Sequence, residues 1–170
     1  VSEWDKQTLR RKISVVAQKT QLFSGTVRSN LLFGKKNAAD EEMMHALEIA
    51  QAADFVLNKP KGLDCEVEQD GRNFSGGQKQ RLSVARAVIS DSDVLILDDS
   101  SSALDYATDA AMRKALKRLS PQKTVIIVSQ RTSSIKHADR ILVLDDGHRV
   151  GSGTHEELLA DCEVYREIHE

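Results

Sequence analysis

Several classes of protein are excluded by what this chain has little of. Its 170 residues include two cysteines, Cys65 and Cys162, far apart and in no ligand pattern. A disulfide framework or zinc site would need more thiols at closer spacing, so a reducing compartment fits. The five histidines, at 45, 137, 148, 155 and 169, have no metal spacing and read as surface or capping residues. No apolar stretch approaches the roughly 20 residues that span a bilayer, and no leader with a basic head and apolar middle opens the sequence. Service to a membrane is therefore expected from the cytoplasmic side, through another segment or subunit. Neither sign of charge dominates: 24 Lys and Arg against 26 Asp and Glu, interspersed, leave a net charge of −2 and no reason to expect a nucleic-acid surface. Also missing is any glycine-rich loop G-x-x-x-x-G-K-[ST], which wraps phosphates in backbone N–H groups. Gly34-Lys35-Lys36 has no glycine five residues ahead of its own and no hydroxyl after it.

What is there is the composition of a soluble globular domain with one core, 40% apolar and 29% charged. A β-branched run (Ile13, Val15, Val16) closes the segment Thr8 to Val16. Met43, Met44, Leu47, Ala50 and Ala53 then recur at helical steps behind Asp40, Glu41 and Glu42, and Pro60 and Gly62 punctuate the segment before a loop from Cys65 to Asn73. A second helix is predicted over Leu82, Ala85, Val88 and Ile89. Three apolar strands follow, Val94 to Leu97, Thr124 to Val128 and Arg140 to Leu144, with a helix from Ala107 to Leu119 stopped by Pro121. Asp145-Asp146-Gly147 reads as a hairpin turn, and Thr154 with Glu157 three residues on reads as the cap of a last helix. Strands alternating with helices predict an α/β fold with a parallel sheet and a helical insert.

The most informative stretch is Asn73-Phe74-Ser75-Gly76-Gly77-Gln78-Lys79-Gln80-Arg81. Ser-Gly-Gly alone is a flexible turn. Directly before a helix it gathers free backbone N–H groups, a hydroxyl and the positive end of a helix dipole, which is an anion cradle. The strand Val94 to Leu97 then ends in Asp98-Asp99, and an acid at the carboxyl end of a buried parallel strand can hold Mg²⁺ beside a phosphate. Together they read as half of an ATP site.

These residues resemble the ABC ATPases, whose signature matches Phe74 to Gln78 and whose Walker B strand matches Val94 to Asp98. Arg11 to Gln18 looks like the strand into the Q-loop, and Leu22 to Asn30 like the phrase that follows it in ABC exporters. Ser102-Ala103-Leu104-Asp105 matches the D-loop, and Asp145 to Leu158 the closing hairpin and helix. The fold so implied is the P-loop NTPase-like parallel sheet with a helical subdomain, truncated at the N-terminus. Residues 1–18 and 91–170 would form the catalytic-core subdomain, and 19–90 the Q-loop, helical subdomain and signature helix. The family's P-loop strand is expected upstream, between the strands here at Val94 to Leu97 and Thr124 to Val128, so that those two either pair directly or recruit other chains.

The resemblance also implies roles. Ser75 and Gly77 would bind the γ-phosphate of ATP held by a second nucleotide-binding domain in a head-to-tail dimer, and Gly76 and Gln78 would belong to the same nucleotide-binding stretch. Asp98 and Gln18 would serve Mg²⁺, and Asp105 would signal across the dimer interface. Asp99 stands where catalytic exporters have a glutamate as general base, and it is one methylene shorter. A displacement of about 1 Å in such a group can cost on the order of 10²-fold in rate. Gln130 stands where exporters have a histidine, and it keeps an N–H donor but neither charge nor proton shuttle. Gln69 replaces a glutamate common before the exporter signature. Two losses beside an intact signature resemble the degenerate subunit of a heterodimeric exporter, working with a transmembrane domain at the cytoplasmic face of the membrane. The alternatives are a non-catalytic regulatory ABC module, for which Asp99 and Gln130 speak, and a DNA-repair or chromosome-maintenance ABC ATPase. The exporter phrase and the short insert speak against the latter.

Overall fold

The structure is a computed structural model and describes residues 3–100, 103–119 and 123–169. Ser102 and Pro121, both named above, lie outside the described residues. The chain divides into two compact units, Val1–Val128 and Ser129–Glu170.

In the first unit Asp5 accepts from the N–H of Thr8 at 2.9 Å and so starts α1 (Lys6–Lys12), which buries no residue and ends in Arg10, Arg11 and Lys12. It runs directly into β1 (Ile13–Val16). β1 pairs in parallel with β4 (Val94–Asp98), and β4 pairs in parallel with β5 (Thr124–Val128), giving the order β1-β4-β5. The expected parallel sheet is present, and β4 and β5 pair directly, with no strand's width between them. Side chains alternate across a sheet, and here the alternation divides the faces sharply. Val16, Leu95 and Leu97 are buried on one, while on the other Val15, Ile126 and Val128 are 59%, 46% and 51% exposed.

The helical insert packs on the buried side of the core. Thr26 and Ser29 exchange capping hydrogen bonds to start α2 (Val27–Leu32), after a two-residue strand β2 (Gly25–Thr26) that pairs antiparallel with β3 (Glu66–Val67). The predicted loop from Cys65 to Asn73 therefore contains a strand. The apolar stripe from Met43 to Ala53 divides into α3 (Asp40–Ile49) and α4 (Ala53–Leu57), because Gln51 turns left-handed at φ 57° between them. α5 (Gly76–Val88) buries Leu82, Val84, Ala85 and Val88, and α6 (Tyr106–Leu116) buries Met112 and Leu116 in the same core.

The second unit holds α7 (Thr132–Ile135), the hairpin β6 (Ile141–Asp145) and β7 (His148–Gly153), α8 (His155–Asp161) and α9 (Glu163–His169). Asp146 and Gly147 both have positive φ, 44° and 78°, the backbone that a two-residue hairpin turn demands. Thr154 and Glu157 form the expected capping box. Ile141, Val143, Leu158, Cys162 and Tyr165 make a small separate core, with the Tyr165 hydroxyl 2.9 Å from His155 Nδ1.

Candidate nucleotide site

Ser75 is the N-cap of α5. The N–H of Gln78 donates to its Oγ at 3.2 Å, and its own N–H donates to Gln78 Oε1 at 3.0 Å. This reciprocal capping uses two of the orphan donors at the helix start. Gly76 and Gly77 lie in the first turn, where no carbonyl stands four residues back inside the helix to take their N–H groups. Ser75 and Gly76 are exposed, so hydroxyl, amides and dipole face outward together. The two glycines differ in their second duty. A Cβ on Gly76 would sit 4.0 Å from Ala103 Cβ, an ordinary contact, whereas one on Gly77 would come within 2.9 Å of Ala103 O. Gly77 thus lets the start of α5 press against the backbone that leads into α6, a packing reason invisible in the sequence.

The opposite half of the chemistry stands at the strand ends. Asp98 is the last residue of β4 and is exposed. Asp99 leaves the strand at φ 43°, a left-handed backbone uncommon for a side-chain-bearing residue, and its N–H donates to Val128 O at 3.0 Å. Gln18 Nε2 donates to Asp99 Oδ2 at 3.2 Å. β1 pairs with β4 at an offset of 81 residues (Val16 opposite Leu97), and Gln18 and Asp99 continue that offset past the ladder. Gln18, Asp98 and Asp99 are therefore brought together at one end of the sheet. Among the described residues no three His, Cys, Asp or Glu form a metal cage. That donor set suits Mg²⁺, which usually takes one or two carboxylates and completes its shell with phosphate and water.

Asp105 is the N-cap of α6. It accepts from Thr108 N at 2.9 Å and Thr108 Oγ1 at 2.7 Å, and these bonds hold its carboxyl below the usual range. Arg81, given no role by sequence reasoning, ties α5 to the helical insert. Its Nη1 donates to Gln51 O at 2.7 Å and its guanidinium lies 4.8 Å from the centre of the Phe55 ring. The side chain of Gln80 is buried in the same helix, accepts from Thr20 Oγ1, and has Nε2 unpartnered. Gln69 begins a single 3₁₀ turn, Gln69–Gly71, before α5. Gln130 is exposed on the bend after β5, and lies in the second unit.

A parallel sheet with acids at a strand tip, beside a helix whose capped N-terminus carries Ser-Gly-Gly, is the class of fold and site found in phosphate-handling ATPases. The ABC transporter family profile matches residues 1–102, more than half of the chain. The chain belongs to the ABC transporter family. A multidrug export ATP-binding/permease protein of Staphylococcus aureus (strain NCTC 8325 / PS 47) is 45% identical over 162 residues, covering 95% of this chain and 28% of that protein. Its counterpart from the bovine strain RF122 / ET3-1 is 44% identical over the same shares. The solved structure of a bacterial Atm1-family ABC exporter with ATP bound superposes with a TM-score of 0.92 at 32% identity, over 99% of this chain and 29% of that one. The chain thus has the ABC exporter ATPase fold and spans less than a third of the length of the relatives it matches.

Of the two outcomes expected for Val94 to Leu97 and Thr124 to Val128, direct pairing is the one present.

Proposed function

We propose that this chain is the signature-bearing part of the nucleotide-binding domain of an exporter that couples ATP binding and hydrolysis to transport across a membrane. Its working partners are a second nucleotide-binding domain, opposed head to tail, and a transmembrane domain; nucleic acid is no partner. The place of action is the cytoplasmic face of the membrane. Within that domain, residues 1–18 and 91–170 serve the catalytic core and 19–90 the Q-loop, helical subdomain and signature helix. The observation that carries this reading is the start of α5, where Ser75 and Gln78 cap each other and the Gly76 and Gly77 amides stand in a first turn that offers them no intrahelical acceptor.

ATP with Mg²⁺ supplies the transferable phosphoryl group and the charge that polarises it. Ser75, Gly76 and Gly77 bind and orient phosphate through N–H and O–H donors, and Gln78 fixes the cap that aims them. Asp98 and Gln18 serve the metal. Asp99 is a poor base for water, because it is short and because Gln18 already donates to its Oδ2. Gln130, uncharged, orients but does not shuttle a proton. Asp105 steadies the start of α6 beside the signature, on the route by which one site would sense the other. The reading is therefore an asymmetric pair in which this chain completes its partner's competent site and contributes Asp99 and Gln130 to a sluggish one. Alone, without G-x-x-x-x-G-K, the 170 residues neither hydrolyse ATP nor bind it tightly; micromolar affinity for Mg-ATP in calorimetry that Ser75→Arg abolishes contradicts this.

Steady-state ATPase rates of the full transporter test the asymmetry. Ser75→Arg is expected to remove most turnover by blocking the competent site, and Asp99→Ala little. Equal losses reject the asymmetric pair, and no loss from Ser75→Arg favours a purely regulatory module.

A further inference from the structure

An open cleft of about 730 Å³ is bordered by α1 and β1, by the turn from Phe33 to Lys36, and by the C-terminal half of α5. Six of its lining residues are cations, Arg10, Arg11, Lys12, Lys35, Lys36 and Arg86, and one, Asp91, is an acid. In a chain of net charge −2 this is a local concentration of one sign. Two of the cations are neutralised in place: Lys12 pairs with Asp93 at 2.7 Å, and Lys35 with Glu42 at 2.9 Å and Asp91 at 3.0 Å. Arg10, Arg11, Lys36 and Arg86 have no carboxylate partner among the described residues.

Arg86 is the informative one. Its Nη2 donates to Gln21 O at 3.0 Å and lies 3.5 Å from Ser83 Oγ, but Nη1 is enclosed with no partner. Burial lowers its pKa and no acid offsets that. An enclosed guanidinium without a counter-charge is expensive; the Phe23 ring 5.4 Å from its Cζ offsets part of that cost, and an anion in the adjoining cleft would offset more through its field, without touching Nη1. The wall opposite is fixed at close range, since a Cβ on Gly34 would fall 2.1 Å from Arg86 O. α1 buries no side chain, so core packing does not dictate the three consecutive bases at its end.

We propose that this cleft binds a small phosphorylated molecule carrying at least two negative charges. Its volume is that of a small-ligand pocket, and walls of one charge sign focus the field within it. Arg side chains match phosphate oxygens in geometry as well as charge. The exposed Val15 and Phe33 offer apolar surface to an organic portion. The site is separate from the residues assigned to ATP and does not rest on that assignment.

Calorimetric titration of the 170-residue chain with inorganic pyrophosphate is the test. Saturable 1:1 binding that weakens with added salt is expected. Arg10→Gln combined with Lys36→Gln should weaken it on the order of tenfold, about 1.4 kcal/mol, and Lys114→Gln, an exposed lysine of α6 outside the cleft, should leave it within about twofold, the size of a minor change. Both cleft side chains are exposed, and circular dichroism checks that the fold survives; Lys36→Gln alone, expected to lose part of the affinity, serves if the double variant does not fold. Absence of saturable binding, an unaffected double variant, or an equal loss on Lys114→Gln would each overturn the proposal. Binding to phosphatidylserine vesicles without binding to pyrophosphate would also overturn it, in favour of a lipid headgroup.

Discussion

Ser75 at the start of α5 is fixed by two hydrogen bonds with Gln78, next to a Gly77 whose Cβ, were there one, would fall 2.9 Å from Ala103 O, whereas Asp99 at the end of β4 sits in a left-handed backbone with its side chain held by the amide of Gln18. Both are polar residues at the end of a regular element. One element begins where its capping residue already satisfies it. The other ends on a residue that the backbone must bend to accommodate. The signature end is thus determined by local chemistry, while the strand tip depends on tertiary pairing of strands far apart in sequence. Such unfavourable backbone is often found where a side chain must be aimed for function. That fits the proposed division of labour, in which the signature is complete and the strand tip is the altered half.

Breaking the signature end gives the largest expected stability effect. Gly77→Ala places a Cβ 2.9 Å from Ala103 O, and α5 or the segment before α6 must move. A cost of about 1–3 kcal/mol is expected, in the range of other overpacking changes. Gly76→Ala is the matched control, since its Cβ would meet only Ala103 Cβ at 4.0 Å. It should be neutral or stabilising by up to about 1 kcal/mol, the gain of alanine over glycine in a helix. Urea denaturation of the two variants decides the matter, and equal stabilities would mean that the close approach of Gly77 is not a constraint.

The strand tip is probed by moving a β-branched residue one position along. Asp99→Val forces such a side chain to φ 43°, and should cost about 1–2 kcal/mol. Asp98→Val lies in β4, where extended backbone and strand propensity suit valine, and should cost nothing or stabilise slightly. If thermal melts rank these two the other way, the left-handed turn after β4 is not a fixed feature.

How much of this was legible in the sequence follows the same division. The cap of α8 was readable because Thr154 with Glu157 acts over three residues, and the start of α5 from Ser75, Gly76 and Gly77 standing directly before a helical pattern. β4 and β5 were readable as apolar β-branched runs, and the hairpin from Asp146-Gly147. α1 was not, because Lys6–Lys12 has no apolar stripe and depends on the Asp5 cap alone. Nor was the pairing of β2 with β3, two residues each, too short for any period to register. The meeting of Gln18 with Asp99 depends on a strand register 81 residues apart, which no local pattern encodes. The order of the parallel strands is illegible for the same reason: each strand is legible by itself, but its neighbour is chosen by packing.

The smallest effect concerns a cap on the border between the two regions. Asp105 starts α6 just after the Ala103 and Leu104 positions against which Gly77 packs. The N–H and hydroxyl of Thr108 favour its charged form, so its folded pKa lies below the unfolded value of about 4. The sign follows from that direction. The unfolded chain takes up the proton first as acid is added, so the stabilisation is whole above about pH 4 and is lost as pH falls through the lowered folded value. Asp105→Asn keeps an oxygen able to accept from Thr108 N but has no charge to titrate. Melting temperatures from about pH 2 to pH 6, across the carboxylate range, should therefore converge for the two proteins at the acid end and separate slightly above it, with the parent the more stable. A constant difference at every pH would show that the charge of Asp105 contributes nothing to the start of α6 and that only the shape of the cap matters there.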